Sequence, residues 1–173
     1  MEKYIPDVYQ KSIYTIDYSK LWLRGIKCIL FDLDNTLVPA SIKVPTKKNI
    51  ELFNELKDLG FKVIVFSNAH KMRVKPFKDI LEVDCCANAM KPFKKKFLKV
   101  LEEYNYNINE VAIVGDQMLT DILGGNKVGI TTILINPISK KDTFLTKINR
   151  IIEKIIMNRL RQKNLFTKGK YYD

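Results

Sequence analysis

The chain has 173 residues, 46% of them hydrophobic and 28% charged, which is the size and composition of one globular domain. Disorder and collagen-like structure are excluded, and at this length folding buries about 70% of the unfolded surface, so a core needs no covalent staples. Charge is the unusual quantity: 30 basic against 19 acidic residues leave +11, which points to nucleic acid, an anionic membrane surface or a phosphorylated substrate.

Residues 1–24 set Tyr4, Tyr9, Tyr14, Tyr18 and Trp22 among polar neighbours without a clear period. From residue 26 strand and helix patterns alternate. Ile26–Phe31, Phe61–Phe66, Val111–Val114 and Ile130–Ile135 are short runs rich in Ile and Val, as expected of strands buried on both faces of a parallel sheet. Val83–Ala87 is a fifth, less apolar candidate. Between them, Thr46–Leu59 repeats Ile50, Phe53 and Leu56 at helical spacing, with Gly60 placed to end the helix. Lys71–Ile80 and Pro92–Tyr104 follow, the latter carrying Phe93, Phe97, Val100 and Leu101. Leu119–Val128 reads as a helix weakened by Gly124-Gly125. Residues 138–173 form a basic terminal segment. The alternation predicts an α/β domain with a central parallel sheet, whose chemistry belongs at the carboxyl ends of the strands.

Cys28, Cys85 and Cys86 are odd in number and lack metal-type spacing, with His70 as the single histidine. A disulfide framework or zinc site is not expected, and a reducing cytoplasmic compartment fits. Cys28 reads as a buried hydrophobe, whereas the adjacent Cys85 and Cys86 cannot face one core together and leave a redox role open. No signal segment opens the chain, and no apolar run approaches the roughly 20 residues that span a bilayer. The protein is expected not to cross a membrane, although it could lie on one.

The strand ends carry the chemistry. Asp32 and Asp34 follow the first strand in Phe31-Asp-Leu-Asp-Asn-Thr36. Two close carboxylates repel and call for a hard cation such as Mg²⁺, although the same string serves as a turn. After the second strand, Ser67 and Asn68 could hold phosphate oxygens or simply form a loop. Lys91 precedes Pro92 at a helix start, one lysine among many. Asp116 and Asp121 lie in Gly115-Asp-Gln-Met-Leu-Thr-Asp121, where Asp116 could be an oxygen ligand or a helix N-cap. Each alone is ambiguous, but the joint order decides: Asp-x-Asp-x-Thr, then Ser, then Lys, then Gly-Asp-x4-Asp. Over residues 26–136 this resembles the haloacid dehalogenase-like (HAD) phosphohydrolases, and more closely their subfamily IIIA, YqeG-type phosphatases.

That resemblance implies a Rossmann-like HAD core over residues 26–137, preceded by an aromatic-rich segment (1–25) and followed by a basic amphipathic helix and tail (138–173). It implies an aspartyl-phosphate mechanism. Asp32 would be the nucleophile and Asp34 the general acid and base. Mg²⁺ would sit on Asp32, the carbonyl of Asp34 and Asp116. Thr36, Ser67 and Asn68 would serve the substrate loop and phosphoryl oxygens, and Lys91 would supply positive charge. Asp121 would support Lys91 or a metal-bound water. His70 reads as an exposed residue at a helix start.

Substrate class follows from spacing and charge. The intervals from Asp32 to Ser67 and from Ser67 to Lys91 are each used up by a helix and a strand, so no cap domain fits and the site is open to bulky substrates. Residues 138–173 hold 10 basic and 3 acidic residues, net +7, leaving +4 for the rest. In that tail Phe144, Leu145, Ile148, Ile151, Ile152, Ile155 and Ile156 fall in an arc of about 140°, opposite Lys147, Arg150, Lys154 and Arg161. The helix is expected to end near Met157, where Arg159 enters the apolar arc. It reads either as a helix docked on the core or as an interfacial helix on anionic lipid. YqeG-type proteins are also similar to the phosphatidylglycerophosphatases, which makes an anionic phospholipid the expected substrate and the inner face of the membrane a peripheral partner. Alternatives are a nucleic-acid-end or phosphoprotein phosphatase and a non-catalytic RNA- or ribosome-binding adaptor. Nucleic acid is less favoured, because the basic residues back onto isoleucines rather than interleave with stacking aromatics.

Overall fold

The computed structural model of the chain describes residues 1–139 and 144–173, with side chains from residue 148 in the second stretch. The strands are β1 (Val8–Gln10), β2 (Cys28–Phe31), β3 (Lys62–Phe66), β4 (Asp84–Cys86), β5 (Val111–Gly115) and β6 (Thr131–Ile135). The helices are α1 (Tyr18–Leu23), α2 (Lys47–Asp58), α3 (Lys71–Leu81), α4 (Lys94–Glu103), α5 (Leu123–Val128) and α6 (Phe144–Gln162). These six strands pair in parallel with one another, in the order β1-β6-β5-β2-β3-β4. From β2 the chain steps outward through β3 to β4, and α4 then carries it back to β5 on the other side of β2. The order therefore reverses between β2 and β5, which opens a crevice at their carboxyl ends.

The Ile/Val runs are strands because both faces of the sheet are covered. Phe31, Val65, Val114 and Ile133 pack on one side with Phe53 and Leu56 of α2 and Phe77 of α3. On the other side, Leu30, Ile64, Phe66 and Ile113 pack with Phe97 and Val100 of α4. Thr46 caps α2 by accepting from the Asn49 amide, while the Asn49 side chain accepts from the Thr46 amide. Cys85 and Cys86 pack toward opposite faces, as adjacent strand residues must. Burial pushes the Cys85 thiol up to about 12 and raises that of Cys86, which leaves both protonated and poor nucleophiles at neutral pH.

The N-terminal segment contributes α1 and the edge strand β1, which pairs with β6 through Val8 and Ile133. Two expectations need correction. The helix expected over Leu119–Val128 begins as a π-helical turn over Met118–Ile122 before α5. Gly124 and Gly125 are there for close approach, since a Cβ on Gly125 would lie 2.5 Å from Thr132 Cγ2. Finally, α6 runs past Met157 to Gln162, because Leu160 is fully buried in a cluster with Ile156, Tyr9 and Phe166. Its docked face carries Glu153, Ile156 and Leu160, whereas Ile148, Ile151, Ile152 and Ile155 face outward. The side chains of Phe144, Leu145 and Lys147 lie outside the described residues.

Candidate active site

Asp32 follows β2 directly, and its amide donates to the carbonyl of Val114 at 2.9 Å, which ties the ends of β2 and β5 together. The chain then turns sharply. The amides of Thr36 and Leu37 donate back to the carbonyl of Leu33, with Asn35 in the left-handed region (φ 64°), which Asn tolerates better than most residues. This turn returns the Thr36 hydroxyl to a point between two carboxylates, 3.3 Å from Asp32 Oδ2 and 3.2 Å from Asp116 Oδ1.

Lys91 enters from the loop after β4. Its Nζ donates to Asp32 Oδ1 and Asp121 Oδ1, both at 2.7 Å, and to the carbonyl of Phe66 at 2.9 Å, so all three ammonium hydrogens are used. Burial alone would lower its pKa, but Asp121 and Asp32 outweigh that effect and hold the ammonium well above the ordinary lysine range. The Asn68 side chain does not reach into the cluster. It bridges the Lys91 backbone instead, donating to its carbonyl (3.1 Å) and accepting from its amide (2.7 Å), which fixes the loop that delivers the lysine. Ser67 is buried, and its hydroxyl accepts from the Ala69 amide at 3.1 Å.

Asp121 owes its place to the π turn, of a kind common at functional sites. The Gln117 amide donates to its second oxygen at 3.1 Å. Gly115 makes room, because a Cβ there would stand 2.2 Å from the Asp121 carboxyl carbon. Gly115→Ala is therefore expected to displace Asp121, loosen Lys91 and cost about 1–3 kcal/mol. Urea unfolding checks this, and an unperturbed midpoint would show that the carboxylate is not held by that close approach.

Carboxylate oxygens of Asp32, Asp116 and Asp121 come within 4.8 Å of one another, all buried. Burial pushes the Asp116 carboxyl up against the pull of Arg150, and Asp32 and Asp121 add to the rise. Burial likewise raises Asp121, with Lys91 opposing and Asp32 reinforcing. Crowded, buried, oxygen-only donors short of positive charge suit a hard divalent cation. Both carboxyls bind protons more tightly folded than unfolded. Their contribution to stability is full below the ordinary aspartate value, 3.8, and is lost as pH rises through their raised values. Without metal, Tm is expected to fall from about pH 5 to about pH 8, and Mg²⁺ is expected to raise Tm more at the higher pH. Equal Mg²⁺ effects at both pH values would contradict this electrostatic account.

Two arginines were not legible as site residues. Arg73, on α3, donates from Nε (3.1 Å) and Nη2 (2.7 Å) to Asp34 Oδ1, which ties that carboxylate to the start of α3. Its spacing of six from Ser67 puts it on the first turns of α3, a weak signal that a surface cation would also give. Arg150, assigned from the helical period to the polar face of α6, instead reaches inward. It donates to the Asp116 carboxylate and, at 2.9 Å, to the Asp116 carbonyl, and pairs with buried Glu153 at 3.0 Å. Glu153 in turn accepts from the Leu119 amide. His70 is exposed and begins α3 without a side-chain cap bond.

Comparison with known proteins places this geometry. Residues 88–151 match the HAD-hydrolase-like family. The chain is 39% identical over 160 residues to a Bacillus subtilis (strain 168) protein named "Probable phosphatase YqeG", covering 92% of this chain and 93% of the other. The chain belongs to the YqeG family of HAD-like phosphatases. It is 30% identical to phosphatidylglycerophosphate phosphatase 1, chloroplastic/mitochondrial, of Arabidopsis thaliana, over 93% of this chain but 49% of that protein. Among solved structures, a HAD subfamily III A hydrolase from Legionella pneumophila superposes with a TM-score of 0.54 at 17% identity, covering 68% of this chain and 69% of that one. The cobalt-bound deoxy-D-mannose-octulosonate 8-phosphate phosphatase of Haemophilus influenzae gives 0.54 at 14% identity, over 80% and 94%. These two carry the fold alone, the Rossmann-like parallel sheet. This YqeG-family chain is a phosphoric monoester hydrolase. Among its described residues no helix is long and apolar enough to cross a membrane.

Proposed function

We propose that this phosphatase is Mg²⁺-dependent and removes the terminal phosphate of phosphatidylglycerophosphate at an anionic membrane surface, on the cytoplasmic side. The observation that carries the chemistry is the convergence of Asp32, Lys91, Asp116 and Asp121 in one buried cluster at the reversal of strand order. In this reading Asp32, the Asp34 carbonyl and Asp116 hold the metal, which supplies charge neutralisation to the phosphoryl group.

An Asp32 carboxylate oxygen attacks phosphorus as the phosphorus–ester oxygen bond breaks, and the departing alkoxide takes the proton of Asp34. Asp34, now a carboxylate, takes a proton from water. That water's oxygen bonds to phosphorus, the aspartyl-phosphate bond breaks, and inorganic phosphate leaves with Asp32 restored. Lys91 holds Asp32 in line and faces the phosphoryl oxygens. Ser67 adds a hydroxyl beside them, and Thr36 keeps Asp32 and Asp116 apart at a fixed spacing. Arg73 positions Asp34 until substrate arrives.

The lipid substrate is supported by the similarity to the Arabidopsis enzyme, by a mouth no inserted domain covers, and by the outward Ile148, Ile151, Ile152 and Ile155 on a basic terminal helix. Phosphate release from phosphatidylglycerophosphate vesicles, compared with 3′-phosphorylated oligonucleotides and short-chain phosphates, tests it. A clear preference for the lipid is expected. Equal rates, or a preference for the oligonucleotide, would remove the lipid as substrate.

A further inference from the structure

Of the helices that start at the carboxyl edge of the sheet, α2, α3 and α4 break the same electrostatic rule. Their first turns carry Lys47 and Lys48 (α2), Lys71 and Arg73 (α3), and Lys94, Lys95 and Lys96 (α4), with no acidic residue in any of them. The acids gather at the other ends, as Asp58, Asp79, Glu102 and Glu103. Cations at a helix N-terminus oppose the macrodipole, so helix stability alone would select the reverse order. Repeated three times, the arrangement gathers cations along the carboxyl edge, whereas the opposite edge mixes these acids with Lys57 and Lys78. Lys71, Lys94 and Lys95 have no carboxylate within ion-pair distance among the described residues.

The same edge exposes large apolar side chains from two loops and from the first turn of α3. Ile42 and Val44 lie between β2 and α2, Met72 starts α3 at 84% exposure, and Met90 (61%) and Phe93 (64%) flank Lys91-Pro92. The last two are locally disfavoured. Met90 is held in the left-handed region (φ 57°), unusual for a side chain of its size, and Phe93 occupies the N-cap of α4 without a capping bond. Choices that cost local stability and yield only exposed hydrophobe mark a functional surface.

We propose that this edge, and not the terminal helix alone, is the membrane-docking face, with Met72, Met90 and Phe93 inserted and the lysines on anionic headgroups. The occupant is an anionic bilayer, because apolar tips interleaved with lysines match the boundary between acyl chains and acidic headgroups. An acidic protein would complement the charge but would leave three unconnected hydrophobic tips unexplained. So seated, the bilayer closes a mouth that has no cap domain, and the phosphate reaches Asp32 from the membrane plane. This rests on the membrane-surface reading above and adds the face that makes the contact.

The test uses the full chain with vesicles of phosphatidylcholine containing phosphatidylglycerol, without any substrate lipid. Binding is followed by co-sedimentation. Asn suits a left-handed backbone and Asp is a favoured N-cap, so Met90→Asn with Phe93→Asp is expected to keep or raise Tm. It is expected to weaken vesicle binding by at least about tenfold while turnover of a small soluble aryl phosphate is unchanged. Lys94→Glu with Lys95→Glu is expected to abolish the preference for anionic over pure phosphatidylcholine vesicles. Unchanged binding in both variants, or binding to poly-glutamate but not to vesicles, overturns the proposal. Because no substrate lipid is present, failure to hydrolyse phosphatidylglycerophosphate would sink the substrate reading and leave the docking result standing.

Discussion

Asp32→Asn is expected to lower Mg²⁺-supported turnover of any phosphomonoester by more than about 10⁴-fold, the scale seen when a covalent nucleophile is removed. An amide keeps the shape of the side chain and its place under β2, so the fold survives. What is lost is the anionic oxygen that attacks phosphorus, together with the charge that partners Lys91. Steady-state assays with an aryl phosphate and Tm measured alongside separate chemistry from folding. If the variant keeps a tenth of the activity, the covalent route through Asp32 is wrong.

Lys91→Met should do damage of a different kind. Lys91 is 5% exposed and pairs with Asp32 and Asp121, so its loss leaves two buried carboxylates facing each other. Breaking a buried pair in this way costs about 3–5 kcal/mol. Activity is expected to fall by about 10²–10³-fold, as when a preorganised donor is removed from a developing charge. The stability loss has a definite pH signature. Without the ammonium, which opposes the rise at Asp121, that carboxyl favours protonation further, so the deficit is expected to shrink as pH falls toward the ordinary aspartate range. Urea midpoints at about pH 5 and about pH 8 measure it. Asp121→Asn in the same chain is expected to recover part of the loss, since one unpaired charge is gone. A deficit that is the same at both pH values, with no recovery, would mean that packing of the lysine stem dominates.

Much of this site was legible because it is written locally. Asp32, Asp34, Asp116 and Asp121 each follow a strand within a few residues, and a parallel sheet turns every strand end toward one edge. Spacing along the chain thus becomes proximity in space. Arg150 shows where that logic stops. A helical period says which residues share a face, but not which face meets the core, and four isoleucines of the more apolar arc of α6, Ile148, Ile151, Ile152 and Ile155, point outward. The docked face is instead chosen by Glu153 reaching the Leu119 amide, by Leu160 and by Arg150 reaching Asp116, all partners more than 30 residues away. β1 was missed for a related reason. Three residues, Val8-Tyr9-Gln10, carry no period to detect, and they are a strand only because Ile133–Ile135 offer a ladder.

That ladder has a consequence for folding. The Tyr9 amide donates to the Tyr172 carbonyl at 2.8 Å, the Tyr172 amide returns the bond to Tyr9 at 2.9 Å, and the other side of the strand pairs with β6. Val8 pairs with Ile133 and Tyr9 with Tyr172, so both neighbours of this strand lie more than 120 residues further along the chain. While β2 to β5 assemble, it waits unpaired, and its docking is the act that closes the longest loops of the sheet.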